Sequence, residues 1–458
     1  MFNRYLAGNR RGYFSQNPAR TICLSFLLII TVGTLLLMMP FSSRTGQFTP
    51  PVDALFTATS ATCVTGLVVY DTWTHWSPLG QVVIIALIQT GGLGLITMGT
   101  FFHILAGRRL GLRSIDLAKE SANADSFAEV RQLVRTVIIG TCLVEGIGAL
   151  LLSFTFVPRY GLVNGGAMSV FTAISAFCNA GFDLMGRDGV PYASLTSFVE
   201  NWAVTLPVMA LIVLGGLGFV VWQDLLRWRK TRTLSLHSRV ALRMTALMLV
   251  LGCAAFLIFE WDNPGTMGPL SLGGKLNAAL FQSVTCRTAG FNTVDLASLT
   301  GQSKLASIVL MFIGAAPAGT GGGIKVTTLA VLVMTVLCVM KGEEDTIILR
   351  RKIEKQAVYR ALALFTMGVV IVALSSFVIH FSLDGQFDPL DVVFEEASAF
   401  GTVGLSVGIS AAASVGSKLI LILNMFLGRV GLLSFALAMV MRRGSKKEIL
   451  PTARIIIG

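Results

Sequence analysis

The chain has 458 residues, 54% of them apolar and 13% charged, with a mean hydropathy of +0.74 and a net charge of +12. A soluble domain carries about a quarter charged residues, so this composition excludes an ordinary soluble globule and points to a membrane protein. So basic a chain also raises a nucleic-acid partner, which the distribution of its cations argues against.

Eight apolar runs follow in chain order: Thr21–Met39, Leu79–Leu105, Val134–Phe156, Trp202–Leu226, Leu242–Phe259, Leu305–Met340, Ala357–Phe381 and Lys418–Met441. Each reaches about 18–20 residues, roughly what a helix needs to cross the hydrocarbon core, and eight spans are predicted. Arg4, Arg10, Arg11 and Arg20 precede the first run as they would a secretory signal. No small-residue cleavage site follows, and the apolar stretch exceeds a signal core, so it is read as a span. An even number of spans puts both termini on one side. That side holds 27 Lys and Arg, in the N-terminal arm and in 107–135, 227–243, 341–360 and 442–458. The opposite side holds six, with thirteen acids that include Asp183, Asp384 and Glu395. Positive charge marks the cytoplasmic face, so both termini are predicted to be cytoplasmic, and the acidic outer face favours cations locally. Cations sorted by topology do not make a nucleic-acid surface.

The seven cysteines form no CxxC and no His/Cys cluster. Cys23, Cys142, Cys253 and Cys338 fall within spans and read as small hydrophobes. His75, His103, His237 and His380 are scattered, and no metal site is predicted.

The outer connections carry a repeat. Four contain a short semi-apolar segment ending in a glycine motif: "ALFTATSATCVTGLVVY" (54–70), "SVFTAISAFCNAGFDL" (169–184), "ALFQSVTCRTAGFNT" (279–293) and "VVFEEASAFGTVGLSVG" (392–408). Gly66, Gly181, Gly290 and Gly404 are separated by 115, 109 and 114 residues. Fixed-period self-similarity sets architecture, and each unit reads as span, short helix, glycine turn, span. The units are bounded at 1–106, 107–230, 231–342 and 343–458. The predicted fold is an all-α membrane protein: eight transmembrane helices and four re-entrant pore helices around one pseudo-fourfold pore. Irregular backbone at membrane depth is tolerated only when buried in protein or lining a wet cavity, and four units around an axis provide one.

"VTGL" (64–67), "NAGF" (179–182), "TAGF" (288–291) and "TVGL" (402–405) are read as extended backbone running into a glycine. Glycine tolerates positive φ, so carbonyls on either side can turn to the axis, where rings of carbonyls replace a cation's hydration shell. One such turn is equally well a simple re-entrant cap; four in register favour a pore. The predicted filter comprises Cys63, Val64, Thr65 and Gly66; Cys178, Asn179, Ala180 and Gly181; Arg287, Thr288, Ala289 and Gly290; and Gly401, Thr402, Val403 and Gly404.

These repeats resemble the Trk/Ktr/HKT superfamily of cation transporters, most closely the membrane subunits of bacterial Ktr potassium uptake systems. The resemblance covers essentially the whole chain and extends to the ending "ARIIIG" (453–458). Relatives of the TrkH type usually carry additional N-terminal spans, whereas only residues 1–20 precede the first span here. Potassium-selective members have glycine at all four filter positions, and many sodium-preferring plant relatives have serine at the first. Gly66 therefore implies potassium, carried at backbone carbonyls. A sodium-conducting or weakly selective member is the alternative, and sodium is also a candidate activator. The resemblance further implies a homodimer in the bacterial cytoplasmic membrane, resting on a cytosolic KtrA-like ring of nucleotide-binding regulatory subunits. Arg108–Arg113, Arg227–Arg232 and Arg350–Lys355 are candidate docking segments, although topology alone also accounts for their charge. A membrane enzyme or nucleotide-driven pump is the competing class, and paired catalytic acids, a His cluster and a true phosphate loop are all missing. The chain is read as a transporter and not an enzyme.

Glu145, Arg287, Lys325 and Arg429 fall at predicted membrane depth. Each would cost about 2.5–3.5 kcal/mol facing lipid at a helix centre, so each should face protein or water. Arg287 reads as a strut behind the filter, with Glu395 or Glu396 as candidate partner. Arg429, in "FLGRVG", lies about half a span below the filter, and the resemblance implies a role near the permeation constriction. A buried ion pair with Glu145 is the plainer alternative.

The run Leu305–Met340 has 36 residues, about 54 Å as one helix and nearly twice the hydrocarbon thickness. Its surplus lies in "GAAPAGTGGGIKVTT" (314–328), where proline and glycine interrupt helices. A phosphate loop needs Gly-Lys-Ser/Thr, and here Ile324 separates Gly323 from Lys325, with Val326 next. The resemblance implies that Ala315–Thr327 is a flexible gate beneath the filter, with Pro317, Gly319, Gly321, Gly322, Gly323 and Lys325 in it and Arg429 nearby. A carbonyl, an acid or water would each suit Lys325. The glycines of "QTGGLGLI" (89–96) and "VLGGLGFV" (213–220) are in better helical context and read as packing positions ahead of hinges.

Overall fold

A computed structural model describes residues 18–94, 127–383 and 385–439. Arg4, Arg10, Arg11, His103, Asp384, the Arg108–Arg113 segment and the "ARIIIG" ending lie outside the described residues.

The described chain is almost wholly helical. In the first unit α1 (Pro18–Met38) leads through a short loop to α2 (Pro51–Thr62) and then α3 (Pro78–Leu93). The second has α4 (Phe127–Tyr160), α5 (Leu162–Phe177), α6 (Trp202–Gly216) and α7 (Phe219–Thr231). The third has α8 (Leu236–Glu260), α9 (Leu272–Thr285), α10 (Gly301–Phe312) and α11 (Val326–Met340), followed by a hairpin of β1 (Ile347–Ile348) and β2 (Arg351–Lys352). The fourth has α12 (Lys355–Ser382), α13 (Pro389–Gly401), α14 (Val415–Val430) and α15 (Leu432–Met439).

Local chemistry fixes where the second and third helices of the units begin. Ser77, Asn201, Thr300 and Ser414 each cap the third helix of their unit by accepting a backbone N–H from its first turn, the role in which these side chains satisfy orphan donors. Pro51, Pro78 and Pro389 stand in the first turn of α2, α3 and α13, where a missing N–H costs nothing.

Among the described residues, four helices are long and apolar enough to cross a membrane: Ala19–Met38, Thr136–Tyr160, Leu236–Glu260 and Lys355–Ser382, the first of each unit. The other predicted runs differ from straight spans. Trp202–Leu226 is two helices, α6 and α7, meeting at 95°. Leu305–Met340 is α10 and α11, joined by the irregular segment 313–325.

The units pack in a closed cycle. The third helix of each unit lies on the second helix of the next: α3 on α5, α6 on α9, α10 on α13, and α14 back on α2. Corresponding polar contacts lock three of the four joints. Thr205 Oγ1 donates to Asn277 Oδ1 (3.0 Å), Lys304 pairs with Asp391 (2.6 Å) and Lys418 with Asp53 (2.7 Å). Counted back from their glycines, Asp53, Asn277 and Asp391 occupy the same position. Phe56, Phe171 and Phe394 lie ten residues before theirs and Phe281 nine, and all four are buried. The core thus lies around the second helices, not in a layer on one side of them.

Candidate functional site: a ring of four glycine turns over an irregular loop

Each second helix ends where its turn begins, at Thr62, Phe177, Thr285 and Gly401. The turns share one backbone shape. Val64, Asn179, Thr288 and Thr402 are left-handed, with φ of 57°, 59°, 69° and 51°. Gly66, Gly181, Gly290 and Gly404 follow two residues later at 96°, 70°, 81° and 93°. The expected extended approach to each glycine is therefore corrected: the residue two before it turns the other way, which Asn179 tolerates but β-branched Val64, Thr288 and Thr402 adopt only when their surroundings impose it. Hydrogen bonds do so here. Thr65, Ala180 and Val403 N–H donate back to Ser60, Ser175 and Ser398 carbonyls at 2.7–2.8 Å. In the third unit one residue fewer separates phenylalanine from glycine, and Ala289 N–H closes instead on Thr285 O at 3.0 Å.

The turns form a ring. A Cβ on Gly66 would lie 2.5 Å from Ala180 O, on Gly181 2.8 Å from Ala289 O, and on Gly290 2.6 Å from Val403 O; one on Gly404 would collide with Thr65 O. Each glycine thus abuts the carbonyl preceding the next glycine, and the fourth closes on the first. Ser60 and Ser398 hydroxyls accept the Gly66 and Gly404 N–H groups (3.0 and 3.1 Å), while Asn179 Nδ2 reaches Arg287 O and Thr288 Oγ1, both at 3.2 Å.

All four glycines line a cavity of about 360 Å³ on one side of the ring, with Asp71, Asp183 and Asp295 in its wall. Asp71 accepts the Thr74 and Tyr192 N–H groups, and Asp183 that of Met185 (2.9 Å). Burial pushes the Asp183 carboxyl up to about 7, opposed by the Met185 N–H and assisted by the Asp71 charge.

The segment 313–325 lies on the opposite side of the ring. Its base is closed by Gly314 N–H on Ile324 O (2.8 Å). Ala316 and Thr320 N–H donate to Gly216 and Gly215 carbonyls (3.0 and 3.2 Å), and Phe219 N–H returns a bond to Ala318 O (2.9 Å). Thr320 Oγ1 is 3.3 Å from Asn179 Oδ1. Gly321 and Gly322 press against the Thr288 and Thr402 hydroxyls, where a Cβ would collide with either. The loop thus touches three of the four turns. Lys325 Nζ donates to Gly321 O (2.6 Å) and Gly322 O (3.2 Å), so a carbonyl answers that open question. Pro317 O approaches Gly218, and Gly319 and Gly323 pack against Gly215 and Gly401 backbone.

Arg429 joins this loop to the first unit: Nη1 donates to Thr320 O, and Nη2 to Gly91 O and Gly92 O. The alternative pairing with Glu145 does not occur. Glu145 instead accepts from Gln89 Nε2 at 3.2 Å, beside Cys178. Arg287 likewise lies on Thr245, its carbonyl and hydroxyl at 3.4 and 3.3 Å, rather than on Glu395 or Glu396. Glu395 binds Ser406, Val407 and Ser410, and Glu396 binds Ser375 and Asn424. Both arginines are satisfied by oxygen atoms that carry no charge.

Sequence reasoning missed a common break in the third helices. Gly91, Gly215 and Gly428 pack on the last carbonyls of the second helices, at Thr62, Phe177 and Phe400. Gly94, Gly218 and Gly431, three residues on, have φ of 80°, 89° and 90° and end the helix. The signal was present: "GGLG", "GGLG" and "GRVG" (91–94, 215–218, 428–431) stand at equivalent places, and in the third unit "GAAP" (314–317) opens the irregular loop. All seven cysteines are free, and no cluster fit for a metal occurs among the described residues.

The chain matches the TrkH family, described as cation transport protein, over residues 13–448. It is 40% identical to Ktr system potassium uptake protein B of Bacillus subtilis (strain 168) over 91% of the chain and 92% of that relative. It is 36% identical to the potassium/sodium uptake protein NtpJ of Enterococcus hirae over 96% and 97%. Its fold matches the crystal structure of the potassium transporter TrkH from Vibrio parahaemolyticus with a TM-score of 0.70, at 16% identity, covering 95% of this chain and 88% of that one. Family and fold agree with the ring geometry: this chain is a membrane protein of the TrkH family of cation transporters within the Trk/Ktr superfamily.

Proposed function

We propose that this chain is the conducting subunit of a potassium uptake system, with the glycine ring as its selectivity filter. The observation that carries the reading is the closed ring itself, in which every glycine abuts the carbonyl before the next. Four re-entrant helices end at the ring, and their C-terminal dipoles place partial negative charge beneath it. A cation entering from the acidic cavity exchanges its water for carbonyls of 63–66, 178–181, 287–290 and 401–404. The loop 313–325, clipped by Arg429, is the gate. The third helix of each unit is read as returning across the membrane, which gives eight crossings with both termini cytoplasmic. The Ktr relatives are named as parts of a system, which supports a regulatory partner; a homodimer in the cytoplasmic membrane on a KtrA-like nucleotide-binding ring is the assembly proposed, with the β1–β2 hairpin and its exposed Arg350 and Arg351 as the candidate docking element.

Rubidium uptake into proteoliposomes without nucleotide tests this. Uptake competed by potassium at lower concentration than by sodium is the expected result, and an absolute need for ATP would sink it. Equal competition would favour the sodium-conducting or weakly selective alternative, which the potassium/sodium name of the Enterococcus relative keeps in play. A pH dependence follows from the outer cavity. Asp183 is neutral below about 7 and anionic above it, so its attraction for cations appears as pH rises. Uptake at low rubidium should increase about twofold or more between pH 6 and 8, and Asp183→Asn should flatten that rise. A variant that keeps the wild-type profile would remove Asp183 from the account.

A further inference from the structure

The bend after Gly218 creates a second site on the lipid-facing side. If α6 crosses the membrane, α7 leaves it at 95° and lies along the inner interface, as amphipathic interfacial helices do. Between α7 and α4 is an apolar cavity of about 510 Å³, lined by Gly140, Leu143, Leu217, Trp222, Leu225 and Leu226 among others. That volume is within the roughly 300–1,000 Å³ of small-molecule sites. The groove is shaped by close packing. Gly140 admits the Trp222 ring, which a Cβ there would approach to 2.8 Å, and Trp222 Nε1–H is tied to Leu214 O at 3.0 Å. It is open on the side of Leu143, which is 58% exposed.

Charge specifies the occupant. Arg227, Arg229, Lys230 and Arg232 are all exposed at the end of α7. Arg229 follows Leu225 and Leu226 by four and three residues, so it continues their face of the helix from the groove toward water. Asp224, the acid within α7, is held by the Ser235 and Ser238 hydroxyls and offsets Arg227 among those cations, which leaves Arg229 and Lys230 for a ligand. We propose that the groove binds an anionic phospholipid, one acyl chain along Trp222 and Leu225 and the phosphate at Arg229 and Lys230. Because α7 begins at the amide that holds Ala318, such a lipid also bears on the loop. That consequence rests on the gating reading, whereas binding does not.

Binding is read by tryptophan fluorescence of the full chain in phosphatidylcholine vesicles. Phosphatidylglycerol with brominated acyl chains is compared, at equal mole fraction, with phosphatidylcholine carrying the same chains. Each cation near an anionic surface is worth several-fold in affinity, so the brominated phosphatidylglycerol should quench about twofold more. Most of that excess should vanish in Trp222→Phe and in the double variant Arg229→Gln/Lys230→Gln. If Trp222→Phe fails to assemble, the double variant decides, since both its sites are exposed. Equal quenching by the two lipids overturns the proposal and leaves the cations free for a protein partner. An excess that survives in the double variant overturns it as well. Rubidium flux is not the readout, so a failed filter or gate assignment would leave this result standing.

Discussion

Replacing Arg429 by alanine should raise basal rubidium flux about tenfold or more in proteoliposomes without regulatory subunits. The guanidinium is the joint between the loop and the first unit, donating to Thr320 O on one side and to Gly91 O and Gly92 O on the other. A hydrogen bond from a charged group contributes about 1.5–3 kcal/mol, and a change of about 1.4 kcal/mol in the closed state alone moves the closed-to-open ratio tenfold. Three carbonyls lose their donor at once in the variant, and the loop is then held only on the side of the second unit, at Gly215, Gly216, Phe219, Phe177 and Asn179, and by its own flanks. Arg429→Lys distinguishes a clip from an electrostatic barrier. A lysine keeps the charge but lacks the planar fork that bridges separated carbonyls, so a clip predicts intermediate flux and a pure barrier predicts wild-type flux. Ion competition should be unchanged in both variants, because neither touches the ring. Unaltered flux in Arg429→Ala would remove the residue from gating.

The pattern of what could be read in advance has a physical cause. Positions that need a missing side chain leave a mark in the sequence, and the four ring glycines were found because no Cβ fits where they meet. The surplus length of Leu305–Met340 was equally visible, since a bilayer has one thickness. The left-handed Val64, Asn179, Thr288 and Thr402 left no such mark. Their shape is imposed by backbone bonds to the preceding helix, and for Val64, Thr288 and Thr402 residue type by itself argues for an ordinary β conformation, while Asn179 alone is of a type that tolerates the left-handed one. The same reason explains the two arginines. A search for a partner looks for acids, whereas Arg287 and Arg429 rest chiefly on carbonyls, which every residue supplies. The break at Gly218 was harder to read: its apolar surroundings suit a continuous helix, and only the recurrence of the G-x-x-G spacing in three units marks the place where α6 and α7 part by 95°.

The second large effect falls on Gly66→Ser, which should lower potassium-competable rubidium uptake and weaken the preference for potassium over sodium by about tenfold, the equivalent of about 1.4 kcal/mol. Gly66 has φ of 96°, a conformation L residues rarely adopt, and its Cβ would come within 2.5 Å of Ala180 O. That neighbour is backbone in the next turn and has no flexible end to move aside. Either the second turn yields or the first rotates, and in both cases one carbonyl leaves the ring while a hydroxyl enters it. Discrimination between two alkali cations depends on how many carbonyl dipoles surround the ion and at what spacing, so the loss should appear in ion preference as well as in rate. Gly46 supplies the control: it has φ of 67°, but nothing lies within 4 Å of its would-be Cβ. Gly46→Ser carries a comparable backbone penalty away from the ring and should leave competition by both ions as it was. Sodium and potassium competition curves for the two variants, measured side by side, separate strain in general from strain at the filter. An unchanged potassium preference in Gly66→Ser would mean that the ring does not select the ion. Selection would then have to be sought elsewhere, first in the cavity that Asp71, Asp183 and Asp295 line.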